Sequence, residues 1–191
     1  MDINLQVPFL LAASPQLRDP NFKHAVILMV EYDASGAMGF VINNKSHMTL
    51  SEVLAFDIED AVPTIPVWNA GPNDSSSGFI LHNQKRNDLE RELAPGVCLS
   101  ASQETLKQMV SSVKSASLFG ADHQFKLLVG YAGWAAGQLE EEFRNGAWIQ
   151  APLNKEIVFS CPDDEMWQHT IASIGMQKHN TLAPYQRGWF H

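Results

Sequence analysis

Apolar residues in this chain fall mostly in short runs divided by clusters of Gly, Pro, Asn, Asp and Ser, the pattern of strands punctuated by turns. "PFLLAAS" (8–14) reads as a first buried strand, stopped by Pro15 and followed by an irregular stretch through "DPNF". "AVILMVEY" (25–32) and "AMGFVIN" (37–43) are two strands joined by "DASG", whose length and composition suit a hairpin with Gly36 at a positive φ. The same reading predicts strands over "IPVWNAG" (65–71), "GFILH" (78–82), "GVCLSA" (96–101), "QFKLLVGYAG" (124–133) and "EIVFSC" (156–161). "PNDSSS" reads as a loop between two of them, and "NQKRNDLERE" as a solvated loop or surface turn.

Helical signals are fewer. "MTLSEVLAF" (48–56) has Thr49 three residues before Glu52, a capping box, with Met48 and Val53 placed as a hydrophobic staple. "SQETLKQMVSSV" (102–113) sets Leu106, Met109, Val110 and Val113 on one helical face behind Ser102 as N-cap. "GQLEEEFRNG" (137–146) predicts a helix ending at Asn145-Gly146, with Leu139 and Phe143 on its buried side. "PDDEMWQHTIASIG" (162–175) predicts a last helix, with Pro162 near its start, acidic residues in its first turn and Gly175 past its end. Trp167, Thr170, Ile171 and Ile174 form its inner face. Strands grouped early and helices interspersed later argue for an α+β fold with a mixed or antiparallel sheet, a doubly wound parallel sheet being the alternative. No repeat, linker or composition break divides residues 1–191, so a single domain is expected, its last ~12 residues forming a tail.

Composition narrows this picture. With 45% hydrophobic and 18% charged residues the chain falls in the ordinary globular range, and no apolar run approaches the roughly 20 residues of a membrane span. The start, "MDINLQVPFLLAASP", lacks the basic residues of a secretory leader. Cys98 and Cys161 show neither CxxC spacing nor the density of a disulfide scaffold, and read as reduced thiols buried in strands of a cytoplasmic protein. A net charge of -8 repels phosphate backbones, so direct nucleic-acid binding would need a local basic patch. The densest candidate is Lys85, Arg86 and Arg91, interleaved with Asp88, Glu90 and Glu92.

Strong catalytic signatures are missing. No Gly-rich turn ends in Gly-Lys-Ser/Thr, "GYAGWAAG" has glycines at the wrong offsets for a dinucleotide fingerprint, and "DSSSG" precedes a strand where a nucleophile elbow must follow one. The seven histidines show no metal spacing, and no cofactor or metal is expected. His82 stands out because it ends a strand, where a side chain can project into a cleft. "GYAGWAAGQLEEEF" (130–143) is the strongest local feature, a strand turning into a helix through glycines. The free N–H groups of such a helix start could hold an anion, but Glu140, Glu141 and Glu142 would repel one. The ligand-binding candidates are Asn43, Gly71, Pro72, His82, Tyr131, Gly133, Trp134 and Gln138, at strand ends and in this corner. Whether Tyr131 and Trp134 face the core or a cleft is the open question.

"FLLAASPQLRDPNFKHAVILMVEYDASGAMGFVINN", "AGPNDSSSGFILH", "LLVGYAGWAAGQLEEEFRNGAWIQAP" and "MWQHTIASIGM", in that order, make the chain resemble the YqgE/AlgH family of bacterial proteins over nearly its whole length. The resemblance implies a compact α+β domain whose bent or bifurcated sheet forms a pseudo-barrel with about four helices, in a cytoplasmic bacterial setting. It implies no known reaction. Family members carry a transcriptional-regulator label connected with alginate control, which points to an unknown protein partner or small ligand. The chain departs from the family pattern at Asn44-Lys45-Ser46, Ala70-Gly71-Pro72-Asn73, Ser77 and Ala135-Ala136. The loss of a basic residue at Ser77 counts against an anion site there.

Overall fold

The computed structural model describes residues 5–53, 65–85, 88, 90–119 and 124–180. Among them the elements run β1 (Phe9–Ala13), β2 (Val26–Asp33), β3 (Gly36–Val41), β4 (Lys45–Thr49), α1 (Leu50–Val53), β5 (Pro66–Asn69), β6 (Asn73–His82), β7 (Arg91–Ala94), β8 (Val97–Ser100), α2 (Gln103–Phe119), β9 (Phe125–Ala135), α3 (Gln138–Arg144), β10 (Trp148–Ala151), α4 (Lys155–Ser160) and α5 (Met166–Asn180). The sheet order is β10-β1-β2-β3-β9-β6-β8-β7, with β4 on β5 and β5 on β9. Among the described residues only β5 on β9 is parallel, so the fold is α+β with a mixed, largely antiparallel sheet curled into a half-barrel.

Strand β9 makes the curl. Its first half, Phe125–Val129, pairs with β5 and β6, and its second half, Met38 opposite Gly133 and Ala37 opposite Trp134, pairs with β3. Gly130 lies between them at φ 74, a left-handed conformation that glycine adopts without strain. This residue inverts the alternation of side chains. Before it Leu128 faces the inner core while Leu127 faces the outside; after it Tyr131 packs inward and Ala132 and Trp134 face out.

Three apolar clusters follow from the two faces. The concave face holds Leu10, Leu28, Phe40, Trp68, Leu81 and Leu128, covered by Ile157 and Val158 of α4 and Met166 of α5. One convex face, with Leu11, Ile27, Met29, Trp134 and Trp148, is covered by Leu139 of α3 and by Leu5. The other, with Val67, Ile80 and Leu127, is covered by Leu50 of α1 and by Met109 and Val110 of α2.

Several expectations hold in detail. The β2–β3 hairpin turns at Asp33–Gly36, with Gly36 at φ 144 and the Ser35 N–H donating to the Asp33 carboxylate at 2.7 Å. Ser102 Oγ accepts from the Glu104 N–H at 3.2 Å, and Glu52 accepts from the N–H and hydroxyl of Thr49 at 2.7 and 2.9 Å. The staple fails, because Met48 stays 48% exposed; residues 54–56 of that helix lie outside the described residues, as do 181–191 of the tail.

Other expectations are corrected. "EIVFSC" is helix α4, not a strand: the Asn154 side chain accepts from the N–H groups of Glu156 and Ile157, and this N-cap outweighs the strand preference of an apolar run. Cys161 therefore caps a helix, while Cys98 lies buried in β8 as expected. "DSSS" belongs to β6, which bulges between Asn73 and Gly78. The charged segment is more than a solvated loop, since β7 begins at Arg91 and Glu90 is only 3% exposed. Arg91 reaches across to β2, donating to the Val30 carbonyl at 2.8 Å and to Glu31 at 3.2 Å, where a bulge interrupts the β2–β3 ladder.

Candidate functional site

The corner after β9 is built around one carboxylate. Trp134 ends the outward-facing series on β9, and Trp148 comes from β10, their rings meeting edge to face at 6.0 Å. Both indole N–H groups donate to Oε2 of Glu142 on α3, at 2.8 Å from Trp134 and 2.6 Å from Trp148. Gln138 completes the arrangement: its amide donates to Oε1 of Glu142 at 2.9 Å and its carbonyl accepts from the Ala135 N–H at 3.0 Å. Glu140 accepts from the Tyr32 hydroxyl at 2.7 Å, which holds its carboxyl below the usual range. Trp134 thus faces the core, and two of the three glutamates that looked like a bar to anions, Glu140 and Glu142, serve as acceptors for side-chain donors. Replacing Glu142 with Ala is expected to cost about 2 kcal/mol in denaturant unfolding, because two indole N–H groups lose their acceptor while the half-exposed site lets water recover part of the loss. The m-value should stay unchanged.

Gly71, Pro72, Tyr131 and Gly133 lie together where the backbone after β5 crosses β9. A Cβ on Gly71 would sit 2.2 Å from the Tyr131 carbonyl carbon, and one on Gly130 would sit 2.7 Å from the Gly71 oxygen. Gly133 is looser, with Asn73 Nδ2 at 3.2 Å from a built Cβ. Tyr131 is half-buried against the inner core, and Pro72 is exposed.

Asn43 follows β3 and acts as a backbone surrogate. Its side chain accepts from the Val26 N–H at 2.8 Å and donates to the His24 carbonyl at 2.9 Å. Beside it lies a group that the sequence reading did not single out. Lys126, 6% exposed, donates to the Ile42 carbonyl at 3.0 Å and to Asp163 Oδ1 at 2.5 Å, with its ammonium 4.6 Å from the Trp68 ring centre. Asp163 Oδ2 accepts from Trp68 Nε1 at 2.9 Å. Burial lowers the Lys126 pKa, and Asp163 opposes that shift. The available signal was a single cation inside the apolar run "QFKLLVG", which demands a buried partner.

His82 lies elsewhere. It is fully buried at the end of β6, its Nδ1 2.8 Å from the Gln84 carbonyl and its Nε2 3.8 Å from a Glu90 oxygen. The other Glu90 oxygen accepts from Thr105, whose hydroxyl accepts in turn from Ser100. His82 pairs with Phe125, nine positions before Trp134 on β9 and on the other side of the Gly130 bend. Neither residue lines the two clefts described below. The thiols are poor nucleophiles as placed: burial pushes Cys98 up to about 11 and also raises Cys161. Among the described residues no cluster of His, Cys, Asp or Glu is grouped to hold a metal, and no helix is long and apolar enough to cross a membrane.

A concave apolar surface opens on the convex side, between α1, α2 and the strands. A cleft of about 270 Å³ is walled by Leu50, Val53, Val67, Ile80, Leu106 and Leu127, with Ser76, Ser102 and Gln103 on its lining. Gly78 also lines it, and a Cβ there would meet no atom within 4 Å. None of the eight ligand-binding candidates named from the sequence reaches this cleft. Its walls come from ordinary core positions of five elements, which no local motif marks.

A family model described as AlgH-like matches residues 10–179. A UPF0301 protein of Hahella chejuensis is 35% identical over 171 residues, covering 88% of this chain and 89% of its own length. Another, of Coxiella burnetii, is 38% identical over 170 residues, covering 87% of each. The solution structure of the AlgH protein from Pseudomonas aeruginosa superposes with a TM-score of 0.70 at 31% identity, over 97% of this chain and all of that one (100%). A crystal structure of a Corynebacterium diphtheriae protein shares the fold, with a TM-score of 0.66 at 22% identity over 88% of this chain and 87% of that one.

Proposed function

Because the chain belongs to the AlgH-like family, we propose that it is a regulatory or binding protein that acts in the cytoplasm through a protein partner or a small ligand, any effect on transcription being indirect. The observation that carries this reading is the apolar cleft between α1, α2 and the strands β5, β6 and β9. Its form, apolar walls with a few polar groups, is that of a ligand or side-chain pocket. The net charge of -8 works against binding DNA through its phosphates. The second reading, a cytoplasmic enzyme of unknown reaction using a cleft near His82 and Trp134, is less favoured, because His82 pairs with Phe125 at the opposite end of β9 from Trp134.

A thermal-shift screen of small apolar and amphipathic compounds tests the reading. A ligand present at about 100 times its Kd should stabilise the protein by about 2.7 kcal/mol. Gly78→Phe fills the cleft from a position with open space, so it should abolish that shift while leaving the unliganded melting temperature nearly unchanged. Steeply salt-dependent DNA binding that maps to a basic surface patch would overturn the word indirect.

A further inference from the structure

On the other face of the sheet from that cleft, the turn into β2 and the start of α5 enclose a polar groove of about 370 Å³, lined by Lys23, His24, Asn44, Asp163, Asp164 and Trp167 among others. Its backbone is held in place on one side. His24 sits at φ 56, with its carbonyl accepting from Asn43 and its ring 4.6 Å from the Trp167 ring, while the following N–H, of Ala25, donates to Phe22. Trp167 is fixed in turn by donating to the Ala13 carbonyl at 2.8 Å.

The charges facing the groove are balanced. Asp163 is neutralised from behind by Lys126, so it offers carboxylate lone pairs without net charge. Among the lining residues, what remains is one exposed carboxylate, Asp164, one exposed ammonium, Lys23, and the imidazole of His24, with Lys45 just outside the lining. An anion alone would meet one lysine on a protein of charge -8, and a cation alone would meet that same lysine as a repulsion. A ligand carrying both charges satisfies both walls. We propose that this groove binds a small zwitterion of the free α-amino acid class, its ammonium toward Asp163 and Asp164, its carboxylate toward Lys23, and its side chain along the imidazole–indole wall. The site is separate from the apolar cleft, and neither reading depends on the other.

The test is a titration of the full 15N-labelled chain with glycine, L-lysine, L-arginine, L-phenylalanine and L-glutamate in turn. The C-terminal amide and N-acetyl forms of the best binder, and inorganic phosphate, serve as controls. The expected result is saturable shifts centred on residues 23–25, 43–44 and 163–167, weakened about tenfold or more in each blocked form and in the surface variants Lys23→Gln and Asp164→Asn. Gly78→Phe should bind the amino acid as the unmodified chain does, so failure of the cleft reading and failure of this one are distinguishable. The proposal is overturned if no amino acid saturates the groove by about 10 mM, if the amide or N-acetyl form binds as well as its parent, or if phosphate alone reproduces the shifts.

Discussion

Gly71→Ala is expected to yield a chain that does not fold. At φ 152 the new Cβ lies 2.2 Å from the Tyr131 carbonyl carbon, 2.3 Å from its oxygen and 2.4 Å from the Ala132 nitrogen, all of them backbone atoms. A flexible side chain could swing away from such a contact, but here a strand must move. That strand is β9, which pairs with β3, β5 and β6, so displacing it loosens both arms of the sheet. A loss above ~4 kcal/mol follows, enough to unfold a domain of ordinary stability. Circular dichroism and soluble yield would read it directly. Gly137→Ala is the matched control: it removes a glycine at φ 77 with no atom within 4 Å of the added Cβ, and should cost only about 1 kcal/mol. Equal losses in the two variants would show that the crossing at Gly71 is not the cause.

The second large effect is expected from Asp163→Asn. The variant keeps the shape and removes the charge that balances Lys126, leaving an ammonium buried between Ile42 and Trp68. Breaking a buried pair from one side costs 3–5 kcal/mol, and the partial exposure of Asp163 places this case at about 3 kcal/mol near neutral pH. The pH dependence identifies the cause. Burial holds the folded pKa of Lys126 below its unfolded value, and losing Asp163 lowers the folded value further. Over the window between the lowered folded pKa and the unfolded value of about 10.5 the unfolded chain binds more protons, so stability rises with pH there. In the variant that window opens at lower pH than in the parent. Its deficit in urea unfolding should therefore shrink as pH rises from 7 toward about 10, and Lys126→Met in the same background should abolish the pH-dependent recovery. A deficit that stays constant with pH would mean that packing around Asp163, and not the stranded charge, is responsible.

How far the sequence could be read depends on where the deciding residue lies. The strands β1, β2, β3 and β9 carry their own apolar runs, and the β2–β3 hairpin carries its own turn residues, so each is legible locally. In "EIVFSC" the run is legible but its conformation is not, because Asn154, which settles it, stands outside the run. β7 and β10 are edge strands of four residues each, too short to stand out alone and defined by the neighbour they pair with. The orientation of Trp134 was unreadable for a sharper reason. Gly130 inverts the alternation of β9, so counting by twos from Leu128 sends Trp134 to the concave side, whereas it packs on the convex one. Asn43, a ligand-binding candidate from the sequence, has its side chain occupied in continuing the sheet. The apolar cleft and the Lys126–Asp163 pair join residues far apart in the chain, and only the fold brings them together.

The place of β1 has a consequence for how the protein is made. The first strand lies between β2 and β10, and the concave core is sealed by Ile157, Val158 and Met166, which belong to the last quarter of the chain. A ribosome that has released only β1 to β8 holds an apolar sheet with no β9 to join its arms and no α4 or α5 to cover it. Contacts this distant in sequence make folding slow and leave intermediates exposed to aggregation. The sheet can close only after the segment through α5 has been made, so its concave face stays open while β1 to β8 emerge.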